Sequence, residues 1–389
     1  MLHFDYIISG GGASGLSLVY HLLQSPLRDK KILLIDKTIK DQNDRTWCFW
    51  ESEPGPFEAI VYKSWQHLSF YTDQVIRHSF IAPFTYKMIR GIDFYQFMDK
   101  TIANTPNITR VQEQVESITN AKDQVQVKTM GNTYTASWCF NSILFHPIDK
   151  SRVNYLDQHF KGWVIKTKQP QFEPEKATLM DFRLPQMGET RFFYVLPFDR
   201  HRALIELAIF SNDIWTPEAY DAAIEKYLDQ HLNIYRNEFE IEETEFGIIP
   251  MTDFPFRQAE GRIIHIGTAG GHTKASTGYT FWRMQKFLQQ MVQSMVDQKH
   301  PNLTPYPTFS RFQLYDSVLL HILEKDLLPA DQLFGTLFRR NQMSDVLKFL
   351  NESTFFLEEL KIMKVLPILT FAKVMLVEMA RKWSFRKKI

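Results

Sequence analysis

Residues 4–15 read Phe4-Asp-Tyr-Ile-Ile-Ser-Gly-Gly-Gly-Ala-Ser-Gly15, a short apolar strand that runs directly into a glycine loop. Gly10, Gly12 and Gly15 have the G-x-G-x-x-G spacing of a dinucleotide-binding turn. The first glycine permits the tight turn, the second lets a pyrophosphate approach the backbone, and the third lets helix and strand pack closely. We expect a helix over 16–23 whose N-terminal N–H groups point at that phosphate.

A second apolar strand, Lys31-Ile-Leu-Leu-Ile-Asp36, ends in an acid about 20 residues after the last glycine of the loop. Asp36 is therefore placed to accept hydrogen bonds from ribose hydroxyls. A glycine-rich turn that merely begins a helix is the simpler alternative, but it does not explain Asp36. Strand, loop, helix and acid together predict an adenine dinucleotide as cofactor.

Composition bears on the class of protein. Lys plus Arg number 45 against 44 acids, so the net charge does not favour nucleic acid as a partner. Cys48 and Cys139 cannot form a disulfide framework, and no C-x-x-C pair predicts a metal site. No stretch approaches the ~20 apolar residues that span a bilayer, and the first strand leaves no room for a signal peptide. We expect a cytoplasmic protein whose 32 phenylalanines need a large core or a large apolar ligand.

The order of the predicted elements indicates an α/β fold with an insertion. We expect a Rossmann-type nucleotide-binding domain over 1–155 and 245–300, an antiparallel β-sheet for the substrate over 156–244, and a helical region over 301–389. The predicted strands of the insertion cover 162–168, 178–182, 191–198 and 202–210, followed by a helix over 217–231 with Thr216 as N-cap.

The chain returns to the nucleotide-binding domain near residue 262. A predicted strand over 262–266 leads into a second glycine turn, Gly267-Thr-Ala-Gly-Gly271. Thr277-Gly-Tyr-Thr280 then precedes a helix that runs to about residue 298. This order is typical of segments that contribute ribityl and flavin contacts. A second G-x-G-x-x-G is absent, so a nicotinamide reductant would have no Rossmann domain of its own.

The stretch Asn43-Asp-Arg-Thr-Trp-Cys-Phe-Trp50 concentrates charge and indole rings, and by pattern alone it also fits a loop capped by aromatics. It resembles the signature of bacterial lycopene cyclases. Other pieces resemble this family in the same order along almost the whole chain: Gln158-His-Phe-Lys-Gly162, Met180-Asp-Phe-Arg183, Gly247-Ile-Ile-Pro-Met251, Thr268-Ala-Gly-Gly271 and Thr277-Gly-Tyr279.

The resemblance implies a fold similar to that of flavoprotein hydroxylases and of the glutathione-reductase type, with FAD as cofactor. It implies that the linear ends of lycopene are closed into β-rings, giving β-carotene via γ-carotene, without net redox change. FAD is then active in its reduced form, with NAD(P)H as electron donor. Hydroxylases of this fold usually carry Gly-Asp after the late strand, and Gly267-Thr268 stands there in this chain, which favours the cyclases.

Cyclisation begins by protonating an alkene, so it requires a carboxyl that stays protonated near neutral pH. A carboxyl in water, with a pKa of ~4, is mostly ionised there, whereas burial raises that value by up to ~3–5 units. Glu206 lies in the middle of a predicted strand and shares its face with Leu204, Ala208 and Phe210. A salt-bridged glutamate at a domain contact is the structural alternative.

The resemblance indicates the same residue, because Leu204-Ile-Glu206 matches a family stretch whose glutamate is thought essential. Family members often carry a second acid directly after it. Leu207 occupies that position here, which puts a mechanism with paired carboxyls in doubt.

The other expected site residues form two sets. The cofactor-binding set lies in the two glycine turns, at the ribose and in the signature stretch: Gly10, Gly12, Ala13, Ser14, Gly15, Asp36, Arg45, Gly267, Gly270, Gly271, Thr277 and Gly278. The substrate-pocket set would offer apolar and aromatic faces to a cation, or else pack in the core: Trp47, Phe49, Trp50, Tyr194 and Leu204. No metal is expected.

The segment from residue 361 onwards is basic and partly amphipathic, with Arg381 and Lys382 in its last part. It suits an anionic membrane surface, so we expect peripheral association with the inner membrane, while a solvated helix face is the alternative.

The chief rival function is a FAD-dependent monooxygenase or reductase that acts on another isoprenoid. A third possible function is that of a non-catalytic carrier of flavin or carotenoid. The ring type, the number of rings, the choice of nicotinamide, the final base and the oligomeric state stay open.

Overall fold

The structure is a computed structural model that describes residues 2–301 and 310–386, with side chains up to residue 383. The strands are β1 (His3–Ser9), β2 (Ile32–Asp36), β3 (Thr46–Glu51), β4 (Lys63–Trp65), β5 (His67–Tyr71), β6 (Ile76–Phe80), β7 (Thr85–Arg90), β8 (Ile108–Gln112), β9 (Val115–Ala121), β10 (Gln124–Thr129), β11 (Thr133–Asn141), β12 (Tyr155–Thr167), β13 (Lys176–Asp181), β14 (Thr190–Pro197), β15 (Arg202–Ser211), β16 (Phe239–Thr252), β17 (Ala259–Glu260) and β18 (Ile263–His265). The α-helices are α1 (Ala13–Leu23), α2 (Gly91–Ala103), α3 (Pro217–Leu232), α4 (Phe281–Gln298), α5 (Arg311–Glu324), α6 (Ala330–Arg340), α7 (Met343–Leu350), α8 (Phe356–Met363) and α9 (Ile368–Arg386).

The first sheet has the order β17-β18-β11-β1-β2-β8, with β10 and β9 attached beside β11. β1 pairs in parallel with both β2 and β11, and β18 pairs in parallel with β11. β2 is buried on both faces, which explains its unbroken run of Ile and Leu. α1 and α4 pack together on one face of this sheet. The expected α/β fold is confirmed.

The second sheet has seven strands in the order β16-β12-β15-β14-β13-β5-β6. One face packs against α3, which begins at Pro217 with Thr216 as its N-cap, as predicted. The other face, which includes Leu204 and Phe210, packs against the C-terminal helices. β5 and β6 lie within 1–155, so a segment expected in the nucleotide-binding domain extends the second sheet instead. They join it because β5 pairs in parallel with β13.

A third, small sheet has the order β3-β7-β4 and carries the signature stretch on β3. Side chains alternate across this strand. Cys48 and Trp50 pack against the core next to the second sheet, whereas Trp47 and Phe49 pack against the core around α1 and α4. The small sheet therefore joins the two large cores.

The C-terminal helices α5 to α9 cover the open face of the second sheet, as expected for a helical C-terminal region. Arg381 holds α9 in place, because its guanidinium pairs with Asp253, which follows β16; it also pairs with Glu378 on α9 itself. Within the described residues, no helix is both long enough and apolar enough to cross a membrane. Part of the expected basic tail, Lys387 and Lys388, lies outside those residues, as does the stretch 302–309.

Candidate functional site

A cleft runs between the carboxyl end of the first sheet and the second sheet, and it encloses a cavity of about 430 Å³. Gly12, Ala13 and Ser14 line one part of the cleft, and Glu206 lines another. The two features that the sequence singled out separately, the glycine loop and the strand glutamate, therefore meet in one cavity.

The glycine loop has the geometry that a dinucleotide turn requires. Gly10 has φ +101°, a conformation that L-residues with a side chain rarely adopt. A Cβ atom on Gly15 would lie 1.9 Å from the carbonyl oxygen of Gly10, so only glycine lets α1 approach β1 this closely. A Cβ on Gly12 would meet nothing within 4 Å, and no side chain caps α1 there. The N-terminal N–H groups of α1 are thus left for a ligand.

Asp36 lies at the end of β2 and contacts the loop directly. Its Oδ2 accepts a hydrogen bond from the Gly11 N–H at 2.6 Å, and its Oδ1 accepts bonds from the N–H and hydroxyl of Thr38 at 2.8 and 2.9 Å. The carboxylate therefore fixes the shape of the loop. Both lone pairs of Oδ1 are therefore engaged, whereas Oδ2 has a further lone pair with which to accept a hydroxyl donor.

The second glycine turn approaches the first from the opposite side. Gly267 has φ +61°, and a Cβ there would lie 2.5 Å from Ser14 Oγ. Gly278 has φ +73°, and a Cβ there would lie 2.0 Å from Oε1 of Gln158, a buried acceptor without a hydrogen-bond partner. Both glycines line the cleft. Gly270 lies in the turn itself, packed on the backbone of His265.

Glu206 belongs to a row of four residues that crosses the second sheet. Tyr194 on β14 is paired with Glu206 on β15, Glu206 with Gly162 on β12, and Gly162 with Glu245 on β16. Directly paired residues point to the same face of a sheet. Because Gly162 has no side chain, the carboxyls of Glu206 and Glu245 approach each other across it, close enough for each to shift the pKa of the other.

The surroundings favour a protonated Glu206. Its side chain is partly accessible from the cavity but otherwise enclosed by protein. Burial raises the pKa of Glu206 well above its ordinary value, and the adjacent Glu245 raises it further. Burial also raises the pKa of Glu245, although Glu206 and the hydroxyl of Thr46 lower it in part. Thr46 donates to Glu245 Oε2 at 2.6 Å.

Three tyrosines enclose the same end of the cavity. The hydroxyls of Tyr86 and Tyr279 lie 3.3 Å apart, and Tyr194 is close enough to Tyr279 for Tyr279 to raise the pKa of Tyr194. Burial raises the pKa of Tyr86 and of Tyr194 well above the ordinary value, so both stay neutral. Glu206 thus faces aromatic rings and neutral hydroxyls.

Only some residues of the signature stretch line the cleft. Arg45 and Trp47 line it, and Trp47 stacks on Phe281 at the start of α4 with ring centroids 5.6 Å apart. Phe49 also stacks on Phe281, but in the core outside the cleft. Trp50 points to the other side of β3, where its indole N–H donates to the Leu347 carbonyl oxygen at 3.0 Å.

An apolar chamber of about 120 Å³ lies beside the cleft, and Tyr194, Thr277 and Tyr279 line both spaces. Its walls come from β14, the C-terminal helices and Trp50, and carry mainly Phe and Leu side chains, among them Phe192, Phe210, Leu333, Phe334, Phe338, Leu347 and Phe371. Glu206, whose raised pKa favours the protonated form, therefore lies near an apolar space.

The structure brings most of the predicted site residues to the cleft. Those that line it are Gly12, Ala13, Ser14, Arg45, Trp47, Tyr194, Leu204, Glu206, Gly267, Thr277 and Gly278. Those that support it from behind or face another space are Gly10, Gly15, Asp36, Phe49, Trp50, Gly270 and Gly271.

Sequence reasoning missed Glu245 as a site residue. It lies in the run Glu240-Ile-Glu-Glu-Thr-Glu245, whose acids resemble those of a solvated edge strand. The available signal was Gly162, a glycine in the middle of a strand, which often marks a close approach of other groups. Only the register of β12 with β16 shows which group approaches.

No group of His, Cys, Asp and Glu side chains suited to a metal ion occurs in the part of the chain that the structure describes.

The comparisons with known proteins agree with this geometry. Solved structures with a similar fold include a geranylgeranyl bacteriochlorophyll reductase-like protein from Thermoplasma acidophilum (TM-score 0.66, 11% identity, 96% of this chain and 98% of that chain covered). Another is a flavoprotein/dehydrogenase from Cytophaga hutchinsonii (TM-score 0.64, 11% identity, 97% and 99% covered).

A third solved structure with a similar fold is the p-nitrophenol 4-monooxygenase of Pseudomonas putida (TM-score 0.58, 10% identity, 98% of this chain and 99% of that chain covered). At these identities the likeness shows the fold alone. No curated protein matches the chain in sequence. The model of the family described as lycopene cyclase protein matches residues 5–376, which confirms the resemblance inferred from the signature stretch. The chain therefore belongs to the lycopene cyclase family.

Proposed function

We propose that this protein is a FAD-dependent lycopene β-cyclase that closes the linear ends of lycopene into β-rings without net redox change. The observation that carries the proposal is the position of Glu206. A carboxyl whose pKa is raised well above its ordinary value lies in the same cavity as a dinucleotide turn and beside an apolar chamber. Family membership supplies the reaction class.

The cleft fits FAD. The open space at Gly12 and the uncapped start of α1 suit the pyrophosphate, and Asp36 suits the ribose. The buried Oε1 of Gln158, next to Gly278, still lacks a donor, and a flavin ring N–H can supply one. Reduced FAD, with NAD(P)H as electron donor, supplies negative charge that stabilises a carbocation nearby.

Glu206 acts as the acid. Its proton passes to the terminal alkene of lycopene, where a C–H bond forms, and the neighbouring alkene provides the electron pair for the new C–C bond. Loss of a ring proton then restores a double bond, so the product has the mass of the substrate. Tyr194, Tyr279 and Trp50 present aromatic faces near the cation, and the enclosed walls exclude water that would quench it.

The chamber and the surface above it suit a substrate that comes from a membrane. α8 and α9 expose large apolar side chains, including Leu357, Leu369, Leu376 and Trp383, and other residues of these helices line the chamber. Lys361, Lys364 and Lys373 are exposed among them. We propose that this surface, called here the α8–α9 surface, contacts the cytoplasmic side of the inner membrane.

The test is expression in a bacterial host that accumulates lycopene, followed by pigment chromatography. The wild type is expected to form β-rings, and Glu206→Gln is expected to fold and retain FAD but to form none. Glu240→Gln, an exposed acid at the start of β16, serves as control and should behave as the wild type. Normal ring formation by Glu206→Gln would remove Glu206 from the mechanism.

A further inference from the structure

We propose that Glu245 is a positioning residue for Glu206, and that the two carboxyls share a single proton across Gly162, with Glu245 holding that proton on Glu206. This inference rests on the proposed function and deepens it. It also restores a paired-carboxyl arrangement that the sequence put in doubt, because the second acid comes from another strand and not from the position after Glu206.

The first support is the register of three neighbouring strands. Gly162 is paired with Glu206 on one side and with Glu245 on the other, so the two acids are separated by the width of one strand. A Cβ on Gly162 would lie 2.9 Å from Leu204 Cδ1 and 3.2 Å from both Cγ and Oε1 of Glu245. The Glu245 side chain therefore lies directly over the glycine, in the space that any larger residue would fill.

The second support is that the two carboxyls have different partners. Glu245 Oε2 accepts the Thr46 hydroxyl bond at 2.6 Å, and the charge of Arg45 also favours the ionised form of Glu245. Its Oε1 is buried and has no hydrogen-bond partner among the described residues, so it is available to a donor from Glu206. No comparable donor from the described part of the chain lowers the pKa of Glu206. The shared proton is therefore more stable on Glu206.

The titratable groups around the pair agree with this assignment. Those that face it are Arg45, Cys48, Tyr86, Tyr194, Glu243 and Tyr279. Burial raises the pKa of Cys48 and of the three tyrosines, so all four are neutral, and Arg45 and Glu243 act on Glu245 in opposite directions. Two buried carboxyls in contact cannot both ionise without a large cost, so the pair retains one proton.

The proton balance follows directly. Donation from Glu206 forms one C–H bond on the alkene and leaves two adjacent carboxylates. The ring cation later loses one proton, so uptake of one proton returns the pair to its starting state. No electron is gained or lost in this cycle. Repulsion between the two carboxylates favours that uptake and resets the acid.

The experiment compares Glu245→Gln, which keeps the shape of the side chain but removes its charge, with the wild type. Two quantities are measured against pH: ring formation, and the infrared carbonyl band of a protonated carboxyl that Glu206→Gln abolishes. In the wild type, ring formation should decline and the band should disappear as the pH rises. In Glu245→Gln we expect both changes to occur at a pH lower by about one unit or more. Glu245→Asp should recover part of this shift.

Glu243→Gln is the matched control, since Glu243 lies on the same strand but bonds Asn43 instead, and it should shift neither curve by a comparable amount. Gly162→Ala should push the carboxyls apart and shift both curves in the same direction as Glu245→Gln. Unchanged curves in Glu245→Gln, or an equal shift in Glu243→Gln, would overturn the proposal. The infrared titration needs no lycopene. If the band shifts as expected but the wild type forms no rings, the pair stands and the proposed function fails.

Discussion

Glu206 occupies a strand position where an apolar side chain would be the stable choice, and the protein keeps a carboxyl there at a cost in stability. Below the ordinary carboxyl pKa, near 4.5, the residue is protonated in both the folded and the unfolded chain. As the pH rises above that value, the unfolded chain releases the proton while the folded chain holds it. The free energy of unfolding therefore falls until the raised folded pKa is reached.

This reasoning predicts how Glu206→Gln changes stability. The variant lacks this titration, so its free energy of unfolding should rise relative to that of the wild type as the pH increases above 4.5, by up to ~1.4 kcal/mol per pH unit. Urea unfolding at a series of pH values measures the difference. Glu240→Gln should follow the wild type. Parallel curves for the wild type and Glu206→Gln would mean that the carboxyl is not held protonated.

Single residues differed in how well the sequence predicted them. The glycines of the two turns and the strand glutamate were predictable, because spacing and alternation are local properties of the chain. The partner of Glu206 was not, since Glu245 reaches it through a pairing between β12 and β16 that no local pattern specifies. Phe49 was expected in the pocket, but it stacks on Phe281 in the core around α1 and α4.

At the scale of elements, α9 has an anchoring role that the sequence did not separate from the proposed membrane contact. Arg381, expected in a membrane-facing tail, pairs with Asp253, which follows β16, and so anchors the helix to the second sheet, and it also pairs with Glu378 on α9 itself. Glu378 is fully buried, and removing the guanidinium would leave a buried charge poorly compensated. Truncation from Arg381 onwards would therefore disturb the fold and would not isolate membrane binding.

Substitutions on the α8–α9 surface give a cleaner test of membrane contact. Leu369 and Leu376 are 88% and 68% exposed, and together they would bury apolar area in a lipid surface. Leu369→Ser with Leu376→Ser should weaken sedimentation with anionic vesicles by about tenfold or more. Met130→Ser removes a side chain of similar exposure, 76%, from the turn after β10 and should have no effect. Equal binding by both variants would argue against this surface.

The elements themselves were predicted well where the local sequence is clear, as in the apolar runs of β1 and β2, in β15 and in the capped helix α3. The largest differences concern strands that depend on distant partners. β5 and β6 join the second sheet only because β13 is there to pair with. β16 is a long strand rich in exposed acids, so its sequence resembles a solvated segment. Pairing between strands that are distant in sequence, and not local sequence preference, determines the structure of both of these segments.

At the scale of the whole molecule, the arrangement combines a dinucleotide turn, an acid and an apolar chamber around one cavity. The fold is shared with a monooxygenase and with a reductase-like protein, so fold alone does not distinguish cyclisation from oxygen or hydride transfer. The proposed activity therefore depends on the second sheet, where the row from Tyr194 to Glu245 places Glu206, a carboxyl with a raised pKa, in the cavity next to the chamber.

The most direct measurement is the mass of the product formed by the purified protein from lycopene, with chemically reduced FAD and without oxygen. The account predicts a product with the mass of lycopene and the chromatographic properties of β-ring carotenoids. It also predicts that the same protein carrying Glu206→Gln leaves lycopene unchanged. A product heavier by an oxygen atom or by two hydrogens, or ring formation that survives Glu206→Gln, would contradict it.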